Sequence, residues 1–241
     1  MIIFKFSEVR AVAMGLGLVL VGACASSPTI QPGADAETTL DGALNKVDNT
    51  AVDLAYVDPD ADYGRYTKVW VTPLDLDNVE IEQPSSNSSI LNRYNEEWEL
   101  TDDDKAKLQE AFANSMQREL TRNGDFAAVS GGGDDVIVVE AMITKIAPSA
   151  PKDDTISRGV GRSRVFTQGA GGMAIAIVLA DGDSGEVLAI IKDARSSENS
   201  NWGLNDSVTN MADVKRNFNT WALRIHKGLL GLKQRASAAE A

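Results

Sequence analysis

The chain of 241 residues has a single cysteine, Cys24, and a single histidine, His226. One thiol cannot close an intrachain disulfide, and a Cys/His set able to hold a soft metal cannot be assembled from one of each. Basic residues are also scarce, with 23 Lys and Arg against 35 Asp and Glu and a formal net charge of −12. That balance argues against a nucleic-acid partner and against a broad electrostatic grip on anionic lipid. The uncharged run Ala11–Ala23 is 13 residues long, whereas a membrane-spanning helix needs about 20 apolar residues. No G-x-S-x-G elbow occurs, and the glycines of Gly131-Gly132-Gly133-Asp134-Asp135 lead into a strand pattern with no Lys-Ser or Lys-Thr after them. They read as a turn, not a phosphate cradle. The expectation is a protein without catalytic residues, cofactor or metal.

What is present begins with Lys5 and Arg10, then the short apolar run, then small residues up to Cys24. A basic start, an apolar middle of about 7–15 residues and a small-residue end make an export signal over residues 1–23. Val21-Gly22-Ala23-Cys24 resembles the lipobox of bacterial lipoproteins. The resemblance implies that the Cys24 sulfur takes a diacylglyceryl group and becomes the new N-terminus, with fatty acids of the palmitate type. At about 0.8 kcal/mol per buried methylene, two or three such chains anchor stably. In lipoproteins of two-membrane bacteria an Asp after the cysteine commonly retains the protein in the inner membrane. Ala25 stands there instead, which implies the outer membrane, facing the periplasm, with outer-membrane lipid as the partner of acylated Cys24. Removal of Lys5, Glu8 and Arg10 takes the charge from −12 to about −13.

Residues 24–51 are small, polar and acidic without a sustained apolar period, and read as a flexible lipid-anchored tether. As a coil, about 27 residues would hold the domain on the order of 30 Å from the bilayer. A single domain is expected over residues 52–233, with residues 234–241 a disordered tail. Within it, Thr67–Leu74 alternates as a strand, with Val69 and Val71 on one side and Trp70 on the other. Asp75 to Leu100 is a long polar connection holding a short VEIE piece. Thr101 can cap a helix whose first turn holds Asp102, Asp103 and Asp104; Leu108, Ala111, Phe112, Ser115, Met116 and Leu120 form its stripe, and Gly124 stops it. Val136–Ile146 is a long strand, and Met173–Ala180 pairs with Val187–Ala194 around a turn in which Gly185 can take positive φ. A second helix over Met211–Leu230 carries Met211, Val214, Phe218, Trp221, Ala222, Ile225 and Leu229 on one face. The implied fold class is α+β: an antiparallel sheet of about five strands with two amphipathic helices on one face.

VDPDADYGRYTKVWVTPLDL, GGMAIAIVLADGDSGEVLAIIKDAR and NFNTWALRI together resemble a family of bacterial lipoproteins known only as a domain of unknown function. The resemblance covers about Val57 to Lys233. Its marks are a PDADY-type lead into a strand ending at Pro73, a D-x-x-S-G-E hairpin at Asp181–Glu186 and a Trp in the last helix. It implies structural positions and no catalytic residues. The organisation is similar to that of small envelope lipoproteins assisting outer-membrane assembly or transport machines.

Candidate sites are few. Asp58–Asp62 and Asp181–Glu186 space carboxylates two apart like calcium loops, but the twelfth positions are Val69 and Lys192, where a bidentate Glu is required. Both read as solvated turns. Arg158, Arg162 and Arg164 in SRGVGRSR concentrate positive charge and are the candidate contact for lipid headgroups or an acidic envelope protein partner. His226 lies beside the apolar stripe of the last helix and reads as a boundary residue. Two functions follow: a non-enzymatic, lipid-anchored docking or accessory module of the cell envelope, or alternatively a periplasmic hydrolase of envelope polymers using acidic residues.

Overall fold

The computed structural model describes residues 27–82, 99–147, 166–167, 172–196, 203–204 and 207–239. Cys24 and Arg158, Arg162 and Arg164 lie outside them. In chain order the strands are β1 (Thr29–Ile30), β2 (Thr38–Thr39), β3 (Leu44–Asp48), β4 (Leu54–Val57), β5 (Lys68–Val71), β6 (Glu80–Ile81), β7 (Ala127–Ala128), β8 (Val136–Ala147), β9 (Phe166–Thr167), β10 (Gly172–Asp181), β11 (Val187–Ser196) and β12 (Gly203–Leu204). Two helices, α1 (Asp102–Leu120) and α2 (Ser207–Ala239), complete the α+β fold.

The main sheet has ten strands, not five, in the order β1-β3-β4-β11-β10-β8-β5-β7, with β2 on β3 and β6 on β8; β9 and β12 form a separate pair. The expected antiparallel sheet is mixed: β5 runs parallel to β7 and β8, and β6 parallel to β8. Parallel neighbours need a crossover connection, and α1 lies in the chain between β5 and its partners β7 and β8. The additional strands are two to five residues long, too short to carry a readable alternation.

Two boundaries shift. Residues 29–48, expected to be tether, join the sheet: Leu44 is fully buried, and β3 pairs with β1, β2 and β4. The pairing rests on backbone hydrogen bonds at a sheet edge, which polar residues such as Thr38, Thr39 and Asn45 form without an apolar pattern. At the other terminus α2 continues to Ala239, so most of the expected disordered tail is helix.

Along β10, Met173, Ile175, Ile177 and Leu179 are buried, and they alternate with half-exposed Ala174, Ala176 and Val178. The buried set packs with Val139, Ala141 and Ile143 of β8 and with Phe112, Phe218, Trp221 and Ile225 of the helices. Phe112 and Phe218 meet edge to face at 5.5 Å, joining α1 to α2. The register between β10 and β11 shifts between Leu179 and Ala180, whose partners are Ala189 and Val187. Leu188 is the extra residue and turns into the core, as a bulge permits. The cap of α1 is a capping box: the Thr101 hydroxyl accepts the Asp104 N–H at 3.2 Å, and the Asp104 carboxylate accepts the Thr101 N–H at 3.1 Å.

The registers define two ends of the sheet. At the Gly185 end lie the turns at Leu40–Gly42 and Gly182–Gly185 and the start of β8. At the opposite end, called the Thr29 end because the chain before Thr29 leaves toward it, lie the last residues of β8 and β11 and the first of β10, while Thr29, Asp48 and Leu54 are level with Ala176, about halfway along β10. At the Gly185 end two turns touch through backbone. A Cβ on Gly132 would fall 2.0 Å from the Gly182 carbonyl oxygen, and Gly133 N–H donates to that oxygen at 3.1 Å.

Candidate functional site

Asp181 closes β10 and keeps the parity of Leu179, so its side chain lies on the helix-covered face, where the residue is 3% exposed. The expected solvated turn is therefore built on a buried carboxylate. Its Oδ1 accepts the Asp183 N–H at 3.0 Å, the Ser184 N–H at 2.7 Å and the Ser184 hydroxyl at 2.9 Å. Its Oδ2 accepts the Tyr66 hydroxyl at 2.7 Å and pairs with the Arg65 guanidinium. Arg65 and Tyr66 arrive on the 3-10 turn Tyr63–Arg65, where Asp62 accepts the Gly64 N–H at 2.8 Å. The Arg65 guanidinium also donates to the Tyr66 hydroxyl at 2.9 Å and lies 4.8 Å over its ring. From α2, Lys233 Nζ donates to the Tyr66 carbonyl at 2.7 Å and covers the Phe126 ring at 4.9 Å.

Burial alone would raise the Asp181 carboxyl. The Ser184 and Asp183 N–H groups and the Tyr66 and Ser184 hydroxyls outweigh it and hold the group well below its ordinary value. Burial, reinforced by the bond to Asp181, pushes the Tyr66 phenol up to about 12. One group stays ionised and the other protonated across the neutral range. Acid–base catalysis is best served by values near the working pH, and both groups are displaced away from it. The pair also holds the half-exposed Arg65 guanidinium at the surface. Beside it, Asp135 accepts the Thr67 hydroxyl at 2.7 Å and pairs with Lys68 at 3.1 Å.

A second buried carboxylate, Asp193, sits on the same face toward the Thr29 end and is 5% exposed. Its Oδ2 accepts the Trp221 indole N–H at 2.7 Å and the Arg224 guanidinium at 2.8 Å, and its Oδ1 accepts the Asp53 N–H at 3.0 Å. Asp53 in turn accepts the Ala194 N–H at 2.8 Å. This cluster fastens α2 to the sheet.

Asp58 accepts the Asp60 N–H at 2.8 Å and serves its own turn, as the sequence suggests. His226 is 4% exposed and not at a boundary; its Nε2 lies 2.9 Å from an Asp125 oxygen, and its ring meets Phe126 edge on. In the sequence Asp181 figures only as part of a calcium-like spacing and Asp193 is not singled out; strand parity is the informative signal for both. Among the described residues no cluster of three or more His, Cys, Asp or Glu could hold a metal. None of the described helices is long and apolar enough to cross a membrane.

No curated protein matches the chain. Several solved structures are similar to it at low identity. A protein of Xanthomonas campestris assigned to DUF330 is 12% identical at a TM-score of 0.39, covering 75% of this chain and 94% of that one. PelC from Paraburkholderia phytofirmans, crystallised as a dodecamer, is 9% identical at 0.34, covering 69% and 91%. A candidate lipoprotein of Caulobacter crescentus is 13% identical at 0.24, covering 66% and 91%. None of these likenesses bears on function. The match that does place the chain spans residues 43–225, the buried Leu44 and most of α2 included. The chain belongs to the family described as protein of unknown function, DUF3313.

Proposed function

We propose that the chain is a lipid-anchored lipoprotein of the bacterial outer membrane that acts as a non-enzymatic docking or accessory module for an envelope partner. The observation that carries the anchor is Cys24 at the end of a basic, apolar and small-residue leader, followed by Ala25. The non-enzymatic half is supported by the Asp181–Tyr66 pair, whose carboxyl is held low and whose phenol is pushed up, both away from the range acid–base work near neutrality needs. Held by Asp181, Arg65 presents half of its side chain to solvent, a geometry that suits recognition of an acidic group more than turnover of a substrate.

The test compares wild type with Cys24→Ser in a Gram-negative host. Wild type is expected in the outer-membrane fraction after a high-salt wash and to incorporate an alkyne-tagged palmitate; the variant is expected in neither state. A variant that still partitions with membranes contradicts the anchor. The docking half is tested by a photocrosslinking residue at Asp183 in intact cells, where a discrete adduct is expected. Absence of any adduct from Asp183 and from Arg65 contradicts it.

A further inference from the structure

The sequence expects a long tether, but the first strand starts at Thr29. Thr29 pairs with Asp48 and Ile30 with Val47, and the Gln31 N–H donates to the Lys46 carbonyl at 2.9 Å. The Gln31 amide reaches both Asp48 oxygens at 3.0 and 3.1 Å, and its own oxygen accepts the Glu37 N–H at 2.8 Å. Ile30 packs against the core. The chain is therefore fastened to the domain five residues after Cys24. β1 is antiparallel to β3 and runs toward the Gly185 end, so the chain before Thr29 leaves in the opposite direction; five residues at full extension span about 16–18 Å. Thr29 is level with Ala176 of ten-residue β10, four residues or about 13 Å from the Gly172 end, so a leash that continues straight just clears that end, whereas one that doubles back does not clear the Gly185 end.

We propose that the lipid bilayer lies against the Thr29 end of the sheet, so that the Asp181–Tyr66–Arg65 cluster at the Gly185 end points away from the membrane. This rests on acylation of Cys24 and adds to it an orientation. The alternative, a domain lying on its β1–β3 edge, sets Asp35, Glu37, Asp41 and Asp48 against anionic headgroups with Lys46 as the one basic residue of segment 29–48. Lys46 is already paired with Glu37 at 2.7 Å. Like charge disfavours that pose. At the Thr29 end Lys145 is held by Glu80 and Glu82, so the direction of the short leash and not headgroup attraction imposes the contact.

Because the one native cysteine is consumed by the lipid, any introduced cysteine is the sole free thiol. Lipidated Ala51→Cys and Asp183→Cys proteins, both at exposed positions at opposite ends, are labelled with a donor fluorophore. They are reconstituted into phosphatidylethanolamine–phosphatidylglycerol vesicles carrying headgroup rhodamine. Energy transfer is expected to be several-fold more efficient from position 51 than from position 183, to persist in high salt, and to even out when a flexible Gly-Ser segment is inserted after Ala25. Vesicle flotation is read in the same samples. Protein that floats but transfers equally from both positions, or more from position 183, overturns the orientation and leaves the anchor standing. Protein that fails to float overturns the anchor and the orientation together.

Discussion

Asp181 and Asp193 lie on one hairpin and one face of the sheet, with side chains 2% and 3% exposed, yet they depend on different parts of the chain. Asp181 draws three of its hydrogen bonds from its own turn, through Asp183 and Ser184, and only then from Tyr66 and Arg65. Asp193 draws none from its own hairpin: Trp221 and Arg224 come from α2, and the N–H of Asp53 from the loop before β4. Equal burial therefore does not mean equal consequence. A carboxylate satisfied locally shapes a turn, whereas one satisfied from afar joins two layers of the fold.

The difference can be broken most forcefully at Asp193. Asp193→Ala leaves the Trp221 indole N–H and the Arg224 guanidinium without their acceptor, and removing one partner of a buried pair costs about 3–5 kcal/mol. Chemical denaturation should show that loss, together with weaker protection of α2 amides in hydrogen exchange. A cost no larger than that of Asp181→Ala would erase the distinction.

The Asp181 side is sharpened by pH. Its carboxyl is held below the ordinary 3.8 in the folded state and regains it on unfolding. The folded protein thus binds fewer protons, and the stabilisation is complete above about pH 5 and drains away as pH falls through the ordinary carboxylate range toward the lowered folded value. Asp181→Asn should cost about 1–3 kcal/mol at neutral pH and flatten the acid slope of stability. An unchanged slope would remove Asp181 from the account of acid sensitivity.

The smallest effect is expected at Arg65, whose side chain is 49% exposed. Arg65→Ala should lower stability by less than about 1 kcal/mol, because exposed ion pairs are screened and contribute little. Its thermal midpoint should stay near that of wild type, while any docking interaction that uses the guanidinium is lost. A destabilisation matching that of Asp193→Ala would show that the turn is not satisfied from within.

The parts of the fold legible in the sequence are those with long periods. The stripe from Leu108 to Leu120, the cap at Thr101 and the hairpin around Gly185, whose φ is 73°, follow from spacing and turn chemistry alone. Phe218, Trp221, Ala222, Ile225 and Leu229 are buried in α2 as their spacing demands. β1 to β3 are illegible in the sequence because strands of two to five residues are too short for Ile30, Leu44 and Val47 to set up a readable alternation among their polar neighbours. The parallel pairing of β5 with β8 was hidden for a related reason, since partner choice is a property of the crossover and not of the strand. Of the site, the turn at Asp181–Glu186 was visible, but its burial was not, because Tyr66 lies some way upstream. The parity of Asp193 with Ile191 would have placed that carboxylate on the inner face.

The claim on which the rest depends is the lipid on Cys24, and the most direct measurement is mass spectrometry of the mature N-terminal peptide isolated from a bacterial envelope. The account predicts a peptide that starts at Cys24 and carries diacylglyceryl and fatty-acyl mass. A peptide in which Cys24 is a free thiol, or in which residues 1–23 are retained, would contradict it.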